Sequence, residues 1–235
     1  MSLCVETEEG SRVQTHCLYP SFEHVHVYVA KVGDGFHVHD GGEAFRCAWL
    51  HGRDERQASK SIEVECSHFG LTKTDDNAIL SKVPNKEWLL NAILEVANAS
   101  SLAANSAVAK ATAAFEASLA SRMEEVLRKL FGVKAVGREV AIRGKSGGMR
   151  RFDFVVRGRS ANDDEILLNA IASHHVSISA KYVAFADVDV PLDRKLAVFE
   201  RTLANDDASL IKQVAIAMPF ASLSAGAERA MHHAQ

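Results

Sequence analysis

The chain has 235 residues, 47% hydrophobic and 24% charged, with a formal net charge of −3; this is an ordinary globular composition, with room for one large core or two modest ones. No apolar run approaches the roughly 20 residues that cross a bilayer, and the acidic start (Glu6, Glu8, Glu9) lacks the basic region of a signal peptide. A cytoplasmic protein without membrane contact is expected, and its four scattered cysteines, none in a CxxC pair, are expected to be reduced.

Residues 1–20 are polar and irregular and read as an arm or a short first helix. From Phe22 a period of two sets in. Val25, Val27 and Val29 alternate with His24, His26 and Tyr28, and Phe36 and Val38 alternate with His37 and His39. Gly33-Asp34 between the runs predicts a two-residue hairpin that pairs Tyr28 with His39 and Ala30 with His37, leaving all four histidines on one face. Imidazole is a zinc ligand, but no further ligand or supporting partner is visible, so a histidine-rich polar face or a pH-sensitive contact is the reading preferred. Asp40-Gly41-Gly42 closes the hairpin, with Asp40 read as a turn and helix-cap residue. Helices follow at Glu43–His51 and from an Asp54 cap to Phe69, where Gly70 stops the second. Ala78–Val83 reads as a strand halted by Pro84.

From Asn85 to Gly132 the apolar spacing is helical and rich in alanine, with Ser100-Ser101 as a break point. Close contact between helices, including a homodimer through this segment, is an expectation. Next come a strand at Arg138–Arg143, the turn Gly144-Lys145-Ser146-Gly147-Gly148, a second strand centred on Arg150–Arg157, and a third over Ile166–Ile171. Alternation along the second strand would put Phe152, Phe154 and Val156 on one face, and Arg151, Asp153, Val155 and Arg157 on the other. The Ser146-Gly147-Gly148 run reads as a flexible loop rather than a phosphate cradle. Ser173–Val188 is ambiguous between a helix and a helix followed by a strand; Leu192–Leu203 reads as a helix closed by Asn205-Asp206-Asp207, and Val214–Phe220 as a buried strand.

These elements define an α+β protein: a hairpin-plus-helices domain over 1–84, a helical connector over 85–131, and a mixed sheet flanked by helices over 132–235. Charge is uneven along it. Residues 138–159 carry Arg138, Arg143, Lys145, Arg150, Arg151, Arg157 and Arg159 against Glu139 and Asp153, a local charge of +5 that leaves −8 for the rest. Such a cluster suits a polyanion, because cations that neutralise phosphates release counterions.

Two resemblances extend this reading. The hairpin, Val38-His39-Asp40-Gly41-Gly42-Glu43-Ala44 entering a helix, and a second helix ending Phe69-Gly70-Leu71 are similar to a prokaryotic and phage domain of unknown function, over about residues 20–100. The order from the helix bearing Glu124-Glu125 through three strands, a helix and a further strand resembles the PD-(D/E)XK nuclease core, over about residues 112–220. That second resemblance implies magnesium held by an acid in the second strand and by a Glu-x-Lys in the third, with a helix glutamate assisting. Asp153 matches the first position. Glu165-Ile166-Leu167 keeps an acid but has leucine in place of lysine, so Lys181 or Glu125 would have to complete the site. Asp153, Glu165, Lys181 and Glu125 are therefore the candidate catalytic residues, with Asp153 and Glu165 as magnesium ligands. Because the third-strand pair is broken, the leading expectation is a degenerate nuclease-like domain that binds nucleic acid or a nucleoprotein, in bacterial or phage defence or counter-defence. A magnesium-dependent nuclease and a protein-binding inhibitor such as an anti-CRISPR are the alternatives. No P-loop, dinucleotide-binding glycine motif, HExxH or GxSxG is present.

Overall fold

The hairpin at Gly33-Asp34 forms with the predicted register, Tyr28 opposite His39 and Ala30 opposite His37. The structure is a computed structural model that describes residues 4–7, 10–158 and 165–232. The protein is α+β and divides into two units, residues 1–111 and 112–235. In chain order the first unit contains strands β1 (Cys4–Thr7), β2 (Gly10–Leu18), β3 (His24–Val32) and β4 (Gly35–His39), then helices α1 (Glu43–Leu50) and α2 (Glu55–Phe69), then strands β5 (Thr72–Lys73) and β6 (Ile79–Val83). Its antiparallel sheet runs β1-β2-β3-β4-β6-β5. The N-terminal stretch is thus not an arm or a helix. Its polar residues Arg12 and Gln14 pair with Tyr28 and His26, on a sheet face that needs no apolar side chains.

One face of that sheet is dry. Val25, Val27 and Val38 are fully buried with Ala44 and Cys47 of α1, Ile62 and Cys66 of α2, and the first turns of a long helix. Asp54 caps α2 by accepting from Gln57 N–H at 2.8 Å, and Gly70 ends it at φ 68°, the left-handed conformation that glycine adopts without strain. Asp40 has a larger role than the turn its sequence suggests. Wholly buried, it accepts hydrogen bonds from the N–H groups of Gly42 (3.0 Å), Ala44 (3.2 Å) and Ile79 (2.9 Å), and from Ser100 Oγ (2.8 Å). Tyr19 Oη lies 2.7 Å from Ser100 Oγ and donates to it, since the serine proton is committed to Asp40. Burial, then the Asp40 charge, push the Tyr19 phenol well above its ordinary pKa, which keeps that proton in place.

The segment from Leu89 to Phe131 is one helix of 43 residues, α3, about 65 Å long at 1.5 Å per residue, unbroken at Ser100-Ser101. It is not a separate connector, because the division between the units falls within it. Its alanines are largely used inside the chain: Ala92, Ala97, Ala99, Ala103, Ala104 and Ala107 are buried in the first unit, and Ala120 with Leu119, Met123 and Leu127 in the second.

The second unit continues with β7 (Val136–Arg143), β8 (Met149–Arg157), β9 (Glu165–Ile171), α4 (His175–Asp187), β10 (Lys195–Phe199), α5 (Asn205–Lys212), β11 (Ile216–Pro219) and α6 (Leu223–His232). The sheet has five strands, β11-β10-β9-β8-β7, antiparallel from β7 to β9 and parallel from β9 to β11. Lys195–Phe199 was expected to be helical. Its residues are nearly all buried because helices cover both sheet faces, and a doubly covered parallel strand has the continuous apolar run that also fits a buried helix. Asn205 to Asp207 correspondingly start a helix rather than close one, and Ser173–Val188 resolves to the single helix α4. Among the described residues no helix is long and apolar enough to cross a membrane.

Candidate functional site

Strands β8 and β9 pair from Arg157–Glu165 to Phe154–Leu168, and there the backbone ladder stops. Beyond it, side chains take over. Asp153 N–H donates to Asn169 Oδ1 at 2.9 Å, and Ala170 N–H donates to Asp153 Oδ2 at 2.7 Å. In β7, Glu139 drops out of the pairing with β8, between Arg138–Phe154 and Val140–Phe152, and has φ 51°, an uncommon conformation for a residue with a side chain. The interruption upsets the alternation expected of β8. Phe154 and Val156 bury against α3 and α6, whereas Phe152 buries with Val155 against α4 and α5, its ring 5.5 Å from Phe185. From Phe152 to Val156 neither face of this strand is a solvated polar one.

Into this gap come side chains from two helices. Lys181 of α4 places Nζ 3.6 Å from Asp153 Oδ2 and 3.8 Å from Glu116 Oε2 of α3. Ser177, one turn before Lys181, donates to Glu116 Oε1 and accepts from Ala172 N–H at 3.1 Å. Asp153, Glu116 and Lys181 are each partly shielded, with side-chain exposures of 26%, 21% and 16%; opposite charges at such depth interact more strongly than at a free surface. Asn169 is wholly buried, and its Nδ2 has no partner among the described residues.

Of the four predicted catalytic residues, the structure brings Asp153 and Lys181 together. Glu165 begins β9, four residues or roughly 13 Å before Asn169 at the rise of a strand, and pairs with Arg157 at 2.7 Å. It is no partner of Asp153 in a metal site. Glu125 is exposed and makes none of these contacts. Glu116 supplies the helix carboxylate instead, and its spacing could have revealed it: Glu116, Leu119 and Met123 fall at i, i+3 and i+7 on the face that packs on the sheet, while Glu125 lies two residues past Met123 and points away. Asn169 was also missed, although it is the one polar residue in the apolar run from Ile166 to Ile171.

The donor set does not fit magnesium. Two carboxylates converge, but Ser177 and Lys181 engage both Glu116 oxygens, and Ala170 N–H and Lys181 engage Asp153 Oδ2. The residue opposite Asp153 is the uncharged Asn169, and the cation between the carboxylates is the protein's own ammonium group. A hard divalent ion needs a near-octahedral shell of oxygens, which this arrangement does not offer. Among the described residues no group of three or more His, Cys, Asp or Glu side chains is gathered as a metal site, the histidine face included. There, His24 Nδ1 lies 2.9 Å from Thr15 O, and His39 Nδ1 accepts from Gly41 N–H at 3.1 Å.

The basic segment separates into paired and unpaired cations. Arg138 is bound to Glu124, Arg150 to Asp187 at 2.6 Å, and Arg157 to Glu165. Arg143, Lys145 and Arg151 have no acidic partner among the described residues and are exposed; Arg159 lies outside the described residues. The pairing Arg143–Met149 and Ala141–Arg151 puts both arginines on one face of the β7–β8 hairpin, opposite Ile142 and Arg150. Lys145 stands in the turn, which is not a loose loop. Ser146 donates to Asp187 through both N–H (2.8 Å) and Oγ (2.7 Å), and Lys145 N–H donates to Asp187 O at 2.6 Å. A Cβ on Gly144 would stand 2.0 Å from Asp187 Oδ2, so the turn closes on that carboxylate only with glycine there. The Ser146 hydroxyl, then Arg150, hold the Asp187 carboxyl down at about 2. Comparisons with family models, curated proteins and solved structures found no match to the chain.

Proposed function

We propose that the second unit binds nucleic acid through the phosphate backbone, using Arg143, Arg151 and Lys145, and that its Asp153 site stabilises the unit without cutting the bound strand. The observation that carries this reading is the separation of cations: three of the six described in the segment are neutralised within the chain, and the remaining three lie at one end of a single, firmly anchored hairpin. Unpaired cations on a rigid support gain from counterion release without first breaking an internal ion pair. The helix, three strands, helix and strand of this unit follow the order that suggested a nuclease-like core, and Lys181 between Asp153 and Glu116 supports the degenerate form of it. Fluorescence anisotropy with labelled duplex and single-stranded probes tests the proposal. Binding at low ionic strength that weakens steeply with salt, with no cleavage in magnesium or manganese, is expected. Salt-insensitive binding or none overturns it, and metal-dependent cleavage lost in Asp153→Ala replaces it with the nuclease reading.

A further inference from the structure

The first unit holds an open polar pocket of about 410 Å³ on the sheet face that carries His24, His26 and Tyr28, beside the first turn of α1. That volume lies within the range of sites for small ligands, about 300 to 1,000 Å³. Its floor is two cross-strand pairs, Arg12–Tyr28 and Gln14–His26. Tyr28 is held from its other side by the stacked ring of His39, at 5.5 Å between centroids and 17° between planes, and by Gly41, where an added Cβ would lie 3.0 Å from Tyr28 Cε2. At the rim Glu43 accepts from Arg46 through both Nε (2.8 Å) and Nη2 (2.6 Å), so this pair is closed upon itself. Arg12 has no acidic partner among the described residues, and the Glu23 carboxylate also lines the pocket.

We infer that this pocket is a nucleotide site, which seats a base against Tyr28 and His26, receives its phosphate at Arg12, and accepts from an exocyclic amino group at Glu23. Each part of the lining matches one part of such a ligand. A fixed aromatic ring offers a stacking surface; a guanidinium with no acidic partner among the described residues suits a phosphate oxygen pair; a carboxylate is an acceptor for an amino group on a base edge. Burial, then the neighbouring Arg12 charge, lower the pKa of His26, so its ring is neutral in neutral solution and offers one donor and one acceptor to the base. An extended peptide is a poorer match. It adds to a sheet edge, whereas β2 and β3 are both interior strands with their backbones already paired. The site is independent of the cations of the second unit and reaches beyond the function proposed for them.

The ligand is either a free nucleotide or one unit of a single strand, and one experiment separates the two. The ring signals of His24, His26 and Tyr28 in the full chain are followed by NMR during titration with cytidine monophosphate, with cytidine, and with a deoxycytidine oligonucleotide of about 12 units, within the span such sites cover. Saturable shifts with the monophosphate are expected. Cytidine should bind about tenfold weaker or worse for want of the phosphate, and Tyr28→Ala should lose about tenfold, the size of one base–aromatic stack. Arg12→Glu, an exposed position, should abolish the shifts. Tighter binding of the oligonucleotide assigns a strand, and equal binding a free nucleotide. The inference is overturned when neither phosphate ligand moves these signals, or when Arg12→Glu leaves the affinity unchanged. Repeating the titration in Arg143→Glu/Arg151→Glu keeps the two proposals apart: loss of duplex binding with intact monophosphate shifts leaves both standing, and intact duplex binding overturns only the reading of the second unit.

Discussion

Asp40→Ala is expected to destabilise the first unit by about 3 to 5 kcal/mol. The carboxylate satisfies three backbone N–H groups and the Ser100 hydroxyl at a point that no water reaches. Alanine leaves the donors of Gly42, Ala44 and Ile79 unsatisfied, at about 1 to 3 kcal/mol each, while Ser100 can turn toward Tyr19 and recover part of its bond. Relief from burying a charge offsets some of the total. Asp40→Asn retains one acceptor oxygen but turns an amide NH2 toward the other donors, and should lose about half as much, roughly 2 kcal/mol. Both tryptophans, Trp49 and Trp88, lie in the first unit, so tryptophan fluorescence during urea unfolding reports that unit even where the two unfold separately. A loss below about 1 kcal/mol for Asp40→Ala would refute the view that this buried network is the pin of the unit.

Three further outcomes follow from the second unit. Because Asp187 titrates at about 2 in the folded protein, below its ordinary value of 3.8, its stabilising effect is complete above about pH 4 and is lost as the pH falls toward 2; circular dichroism melts over that window should lose this part of the acid sensitivity in Asp187→Asn. Millimolar manganese should leave the melting temperature of the wild type unchanged, and a rise of several degrees would mean that Asp153 and Glu116 hold a metal after all. Lys181→Met removes the cation between two partly buried carboxylates and should destabilise the unit by about 1 to 3 kcal/mol in the same melts, with Glu116→Gln in the same background restoring part of the loss.

Much of the fold was legible in the sequence because its signals were local. The Gly33-Asp34 turn set the β3–β4 register, Asp54 and Gly70 marked the ends of α2, and the period of two in His24–Val29 separated a dry face from a wet one. Where tertiary context decides, local pattern misled. Leu196–Phe199 is apolar on both faces because helices cover both, and so it carried no period to distinguish strand from helix. The alternation of β8 was read through Asp153 as though the strand were regular, but the left-handed Glu139 and the Asp153–Asn169 exchange are properties of three strands together. The charge cluster was visible as a sum; its division into paired and unpaired cations depended on Glu124, Asp187 and Glu165, which are distant in sequence or on another strand.

The salt dependence of nucleic-acid binding tests the central claim most directly. With Arg143, Lys145 and Arg151 all changed to alanine, the slope of log affinity against log salt for duplex DNA should become shallower by about 2.7, three phosphate contacts at about 0.9 each. Arg138→Ala/Arg157→Ala, which removes cations already bound to Glu124 and Glu165, should leave the slope within about 0.5 of the wild type. Equal losses in the two variants, or a wild type with no salt-sensitive binding, would contradict the account.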